Sequence, residues 1–233
     1  TITDFLHKSF GGWKSKSPFA LVEPKYFDIK GKTETTNTPD KTNALVAGSV
    51  NLKISRQHPE YPAVVMANEL LGGGAFLNSR IPQRLRENEG MSYGAGSYID
   101  VNYKYNVGSW GTYAYFNPIY KNRLDSALQD EVNKAIQKGF TADELKKTKA
   151  GYAEQTRTSL GNNASTAATL SSFLINDRDL SEYTQFDKKI NDLTLEQVNA
   201  AMKKYFDRSK LVTVFAGDFE KGKTEKPEQK KGF

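Results

Sequence analysis

Two histidines, His7 and His58, are all the imidazole in this chain, and cysteine is absent. Catalytic zinc normally takes three protein ligands, largely histidine. Neither H-E-x-x-H nor H-x-x-E-H occurs. His7 has no second histidine three or four residues away, and His58 sits in the turn-like RQHPEYP, so both read as exposed or capping imidazoles. A Ser-His-Asp triad needs a placed nucleophile and base, and no G-x-S-x-G elbow is present. Without cysteine there is no thiolate nucleophile, thiolate metal site or disulfide. SYGAGSY lacks the third glycine of a dinucleotide fingerprint, and Gly72–Gly74 is not followed by Gly-Lys-Ser/Thr. The triple glycine reads as a helix stop with a tight turn, or as a loop lying close to a ligand.

One constellation survives. Arg86 falls near a helix end and Tyr93 near a strand start, so a short turn would bring both side chains to one edge. An arginine offers a planar fork of donors to a carbonyl or carboxylate, and a tyrosine offers a hydroxyl. By residue chemistry alone the alternative stands beside it: an exposed arginine and a packed tyrosine. Arg80 and Arg84 read equally as helix-surface partners of glutamates. The tyrosine-rich stretch 91–116 has the rings of a base-stacking platform but only Lys104 as a cation, so core and cross-strand packing accounts for most of it.

The elements that must hold these groups follow from periodicity. Residues 1–10 read as a helix end stopped by Gly11–Gly12. A polar connector with Pro18, Pro24 and Pro39 follows, carrying one short extended piece at 20–22. Ala44–Ile54 reads as a strand. A strongly apolar helix starts at Pro59 or Pro62 and runs to Leu71, and a second covers Asn78–Glu89. Two strands joined near 100–102 fill 91–116. Leu124, Leu128, Val132 and Ile136 form a helical stripe closed by Gly139. Capping boxes at Thr141/Glu144 and Thr194/Gln197 open helices to Leu160 and Phe206, with another helix over Asn163–Asn176. Residues 211–217 read as a last strand. This order predicts an α+β fold: a mostly antiparallel sheet with helices packed on one face. The divisions are 1–43 as a helix end and linker, 44–219 as the α+β domain, and 220–233 as a basic, disordered tail.

Composition agrees. The chain has 233 residues, 37% apolar and 26% charged, with a net charge of +6. Half of that charge sits in 221–233, with five lysines against two glutamates, which leaves little to attract nucleic acid elsewhere. No apolar run approaches the roughly 18–20 residues of a membrane span. A chain that opens at Thr1 on a helix end and a linker reads as part of a longer polypeptide.

With those residues in view, LLGGGAFLNSRIPQRLRENEGMSYGAGSY, the strand NALVAGSVNLKI and the final LVTVFAGDF resemble the C-terminal, non-zinc-binding half of the pitrilysin/insulinase peptidases, the mitochondrial-processing-peptidase type included. FLHKSFGGWK resembles the junction between halves. The resemblance implies a clamshell of two similar α+β halves. The zinc, its H-x-x-E-H motif and the base lie in the N-terminal half, and this half closes the chamber around a peptide substrate. It further implies that Arg86 holds the substrate backbone, that Tyr93 is catalytic and stabilises the oxyanion, and that Gly73 and Gly74 line the chamber. This chain would then hold no metal and be inactive alone, with zinc in a partner half. A catalytically silent scaffold subunit of the same fold is the alternative. The resemblance points to the periplasm, with the cytosol as the other possibility.

Overall fold

The computed structural model describes residues 1–17, 20, 22–74 and 79–220. Five strands form one sheet in the order β1-β5-β2-β4-β3: β1 is Lys32–Asn37, β2 Ala44–Leu52, β3 Ser92–Val101, β4 Gly108–Phe116 and β5 Val212–Gly217. Only β1 and β5 run parallel; the other three pairings are antiparallel. The helices are α1 Ile2–Phe10, α2 Tyr61–Asn68, α3 Arg80–Pro82, α4 Lys121–Lys138, α5 Ala142–Leu160, α6 Asn163–Ile175, α7 Ser181–Asp192 and α8 Leu195–Tyr205. Wide, π-type turns extend α2 over Glu69–Gly73 and α3 over Gln83–Asn88. The expected α+β class, mostly antiparallel with helices on one face, is the observed one.

The core sits between the sheet and the helices. On β2 the inward residues Ala44, Val46, Gly48, Val50 and Leu52 are buried and alternate with half-buried ones, the period of a strand with one wet face. Helix α2 is buried all round from Pro62 to Asn68, as an apolar helix must be when it is sandwiched. It packs against α8, whose neighbour Phe206 meets Trp110 of β4 edge to face at 5.0 Å. Both expected capping boxes form, at Thr141/Glu144 and Thr194/Gln197.

Three elements differ from the sequence reading. The polar stretch read as linker supplies β1, seated by parallel pairing of Lys32–Asn37 with Val212–Gly217. Helix α7 occupies a stretch with no predicted element, and of its residues only Ile190 is buried. The β3–β4 turn falls between Val101 and Gly108, later than expected, closed by Asn102 N–H donating to the Val107 carbonyl. The expected extended piece at 20–22, the helix start at Asn78 and the basic tail from 221 fall wholly or partly outside the described residues.

The wide turn ending α2 approaches edge strand β3 so closely that a Cβ on Gly72 would lie 2.6 Å from the Ser97 nitrogen and 2.9 Å from the Gly96 carbonyl carbon. Backbone atoms cannot swing aside as a side chain does. Gly72→Ala is therefore expected to cost about 1–3 kcal/mol in urea unfolding. Gly12→Ala, where a Cβ meets nothing within 4 Å, should stay within about 0.5 kcal/mol of the parent. Equal effects at the two positions would contradict the contact.

Candidate functional site

The segment from Arg80 to Tyr93 is fixed at both ends. Arg80 is nearly buried and forms a two-pronged ion pair with Glu144 (2.8 and 3.0 Å). It also donates to the Gly139 carbonyl at 2.8 Å and lies 4.7 Å from the Phe140 ring centroid. Burial opposes the charged form of Glu144, yet hydrogen bonds from Arg80 and Thr141 hold its carboxyl below the usual range. Arg80 thus joins α3 to the α4–α5 junction and is a structural residue. Arg84 is likewise paired, with Glu89 at 2.5 Å.

The turn into β3 is closed by Gly90 N–H donating to the Arg86 carbonyl at 3.0 Å and Met91 N–H to the Leu85 carbonyl at 2.9 Å. Gly90 adopts φ 60°, the left-handed conformation that glycine takes at least cost, and this stops the helix. Arg86, in the last turn, is exposed, and among the described residues its ion-pair partner is Glu87, at 3.4 Å. Its guanidinium stays half in solvent.

Tyr93 stands on a β-bulge. Ser92 pairs with Phe116 and Gly94 with Tyr115, so Tyr93 is the extra residue in the ladder. Ser92 stabilises the irregularity: its hydroxyl donates to the Tyr115 carbonyl at 2.7 Å and accepts from Gly94 N–H at 3.2 Å. A bulge re-aims one side chain without moving the rest of the strand. The Tyr93 ring is 61% exposed and stacks on Tyr115 with centroids 5.8 Å apart. The packed-core alternative for Tyr93 is therefore excluded, and Arg86 and Tyr93 share the same end of β3. Gly73 has a packing role, since a Cβ there would strike the Asn68 amide, and Gly74 is the last described residue of the turn.

Ser92 and Tyr115 were missed by the sequence reading, and so was Glu69. Glu69 is the one acid in the apolar run of α2, and that was its signal. Among the described residues no cation lies within ion-pair distance of it, and burial pushes its carboxyl up to about 7. Burial first, then Glu69 and Asp187, push the neighbouring Tyr152 hydroxyl up as well. No group of three or more histidine, cysteine or acidic side chains among the described residues is placed to hold a metal, and His58 has the Glu60 carboxylate at 3.9 Å. The described residues do not fit a zinc site.

A family model described as the peptidase M16 inactive domain matches residues 1–152. The chain belongs to this family. It is the C-terminal, inactive-type domain of an M16 protein, as the sequence resemblance implied. Among solved structures, this M16 domain is similar to a peptidase M16 inactive domain from Pseudomonas fluorescens, with 26% identity, a TM-score of 0.75, and coverage of 87% of this chain and 47% of that one. It is also similar in fold to a protease from Helicobacter pylori, with 19% identity, a TM-score of 0.78 and coverage of 92% and 52%. A third is the periplasmic protease PqqL from Escherichia coli, with 20% identity, a TM-score of 0.67 and coverage of 92% and 24%. The chain spans about half the length of the first two. No curated protein matches.

Glu69 gives a pH prediction. Its folded pKa is raised from 4.5 to about 7, so the folded state binds more protons than the unfolded one between those values. Stability should fall as pH rises through that window. Glu69→Gln should flatten the dependence and exceed the parent above pH 7 by up to about 3 kcal/mol. Denaturant unfolding at pH 5 and pH 8 reads this, and parallel profiles would refute it.

Proposed function

We propose that this M16 domain is the metal-free half of a two-part zinc peptidase. It closes the substrate chamber and lends two side chains to peptide-bond hydrolysis. The observation that carries the reading is Tyr93, exposed on a bulge pinned by Ser92, at the same strand end as the half-exposed guanidinium of Arg86. A hydroxyl fixed in this way suits the place where charge develops on a scissile carbonyl, because a donor held in advance needs no reorganisation during the reaction. In this reading the Tyr93 hydroxyl donates to the oxyanion. Arg86 donates to a backbone carbonyl of the extended substrate, and Gly73 and Gly74 border the chamber.

The zinc-bearing partner is the N-terminal half, on the same polypeptide or on another. Helix α1 supports this. It buries none of its residues, and Phe5 and Trp13 are 67% and 81% exposed. Its apolar stripe, Ile2, Phe5, Leu6 and Phe10, suits a face of that half. Likeness to a periplasmic protease favours the periplasm. Among the described residues no helix is long and apolar enough to cross a membrane.

The test is cleavage of an unstructured fluorogenic peptide by this chain alone and by this chain with its zinc-bearing half, each with and without chelator. Activity is expected only in the pair and only without chelator. In the pair, Tyr93→Phe should lower kcat by about 10²–10³-fold while leaving unfolding and association unchanged, and Arg86→Ala should lower kcat/KM. Near-normal turnover in both variants would favour the scaffold reading. Phe5→Glu should weaken association of the halves in sedimentation, and undiminished association would remove α1 from the interface.

A further inference from the structure

A cavity of about 750 Å³ lies at the other end of β3 from Tyr93, bounded by the β3–β4 turn, the N-terminal end of α2, and helices α5, α6 and α7. Its size falls within the range of about 300–1,000 Å³ typical of small-ligand sites. Ser92–Val101 spans ten residues, so the two sites stand about 30 Å apart.

The wall is stiff on one side. Arg178 is held between two rings, 3.8 Å from the Phe173 centroid and 4.5 Å from that of Tyr103. Glu182 accepts from Arg178 Nε at 3.0 Å and from the Tyr103 hydroxyl at 2.8 Å, which neutralises that arginine in place. Arg56 also lines the cavity. Its Nε donates to the Val101 carbonyl at 2.7 Å, while its two terminal nitrogens make no hydrogen bond among the described residues. Of the charged groups that act on the Tyr61 hydroxyl, Arg56 ranks ahead of Asp100 and Arg178, and among the described residues it is the arginine at that end that no carboxylate pairs.

The opposite end is acidic and aromatic. Asp187 lines it beside Tyr152 and Tyr183, with no hydrogen bond and no ion pair among the described residues. Burial raises its carboxyl above the usual range. Glu69 and Asp187 are the largest charges that bear on Tyr152 there. Phe173, Phe186 and the tyrosine rings supply apolar wall between the ends, and Lys189 also lines the cavity.

We propose that this cavity is a binding site for a short peptide with both termini free: the α-carboxylate pairs with Arg56, the α-ammonium pairs with Asp187 against the tyrosine faces, and apolar side chains lie on the phenylalanines between them. A dipolar cavity with an unused donor fork at one end and an unpaired carboxylate at the other matches a zwitterion better than a simple anion or cation. Rings beside the carboxylate add cation–π attraction for an ammonium. The site does not depend on the roles given to Arg86 and Tyr93, and it requires no partner half.

Isothermal titration of the 233-residue chain with trileucine, N-acetyl-trileucine and trileucine amide tests this. Free trileucine should bind, and blocking either terminus should weaken binding by about tenfold or more. In Arg56→Gln the amide and the free acid should bind alike. In Asp187→Asn the acetylated and free forms should bind alike, with unchanged circular dichroism in both variants. The proposal is overturned by no binding of trileucine up to about 10 mM. It is also overturned by equal binding of blocked and free forms to the parent, or by variants that keep both preferences.

Discussion

The backbone contact between Gly72 and Gly96 is the constraint on which the rest of the arrangement rests. The central apolar helix can be buried all round only if its C-terminal end closes against something without side chains between. Here that something is the edge strand itself, with the Ser97 hydroxyl donating to the Asn68 carbonyl at 3.1 Å. Once α2 is locked to β3, the outer edge of the sheet is covered where the strand is most regular. The irregular beginning, with its bulge, is left with Tyr93 exposed. Arg80 repeats this logic one element later, tying the segment that carries Arg86 to the α4–α5 junction through a carboxylate, a carbonyl and a ring.

This division of labour separates two arginines six residues apart. Arg80 satisfies its donors inside the protein. Arg86 has the neighbouring Glu87 as its ion-pair partner among the described residues and stands half in water, which is where a residue must be if its partner arrives from outside. The same contrast holds among the aromatic rings. Trp110 and Phe116 are fully buried, while Tyr93, Tyr98 and Tyr115 are exposed on the uncovered side. An M16 inactive domain of this kind keeps a conventional core and places its unusual features at two ends of one strand.

Much of this was legible from residue order. Capping boxes announce themselves because a hydroxyl and a carboxylate or amide three residues on satisfy each other's backbone donors, and both formed as read. The apolar length of α2 and the stripe of α4 needed only periodicity. Strand β1 was not legible: KTETTN is exposed at every position, and nothing but its backbone pairing with β5 makes it a strand. Helix α7 hid because it buries so little. The bulge hid because a single extra residue leaves composition unchanged and alters only which face a ring takes. The family resemblance carried Arg86 and Tyr93; the residues alone left a packed tyrosine open, and the observed exposure closed that option. Glu69 stands out in sequence only as an acid in an apolar run, Asp187 does not stand out at all, and only folding brings the two to bear on one tyrosine.

The pairing of β1 with β5 has a temporal side. Lys32 meets Val212 across 212 − 32 = 180 residues, so the strand nearest the N-terminal helix has no partner until almost the whole domain has been synthesised. Contacts of such sequence separation are slow to close and expose unpaired edges while they wait. The lysine and glutamate of β1, along with its lack of apolar residues, make that waiting strand a poor template for stray association. The segment that leads into the domain is thus the last to be seated.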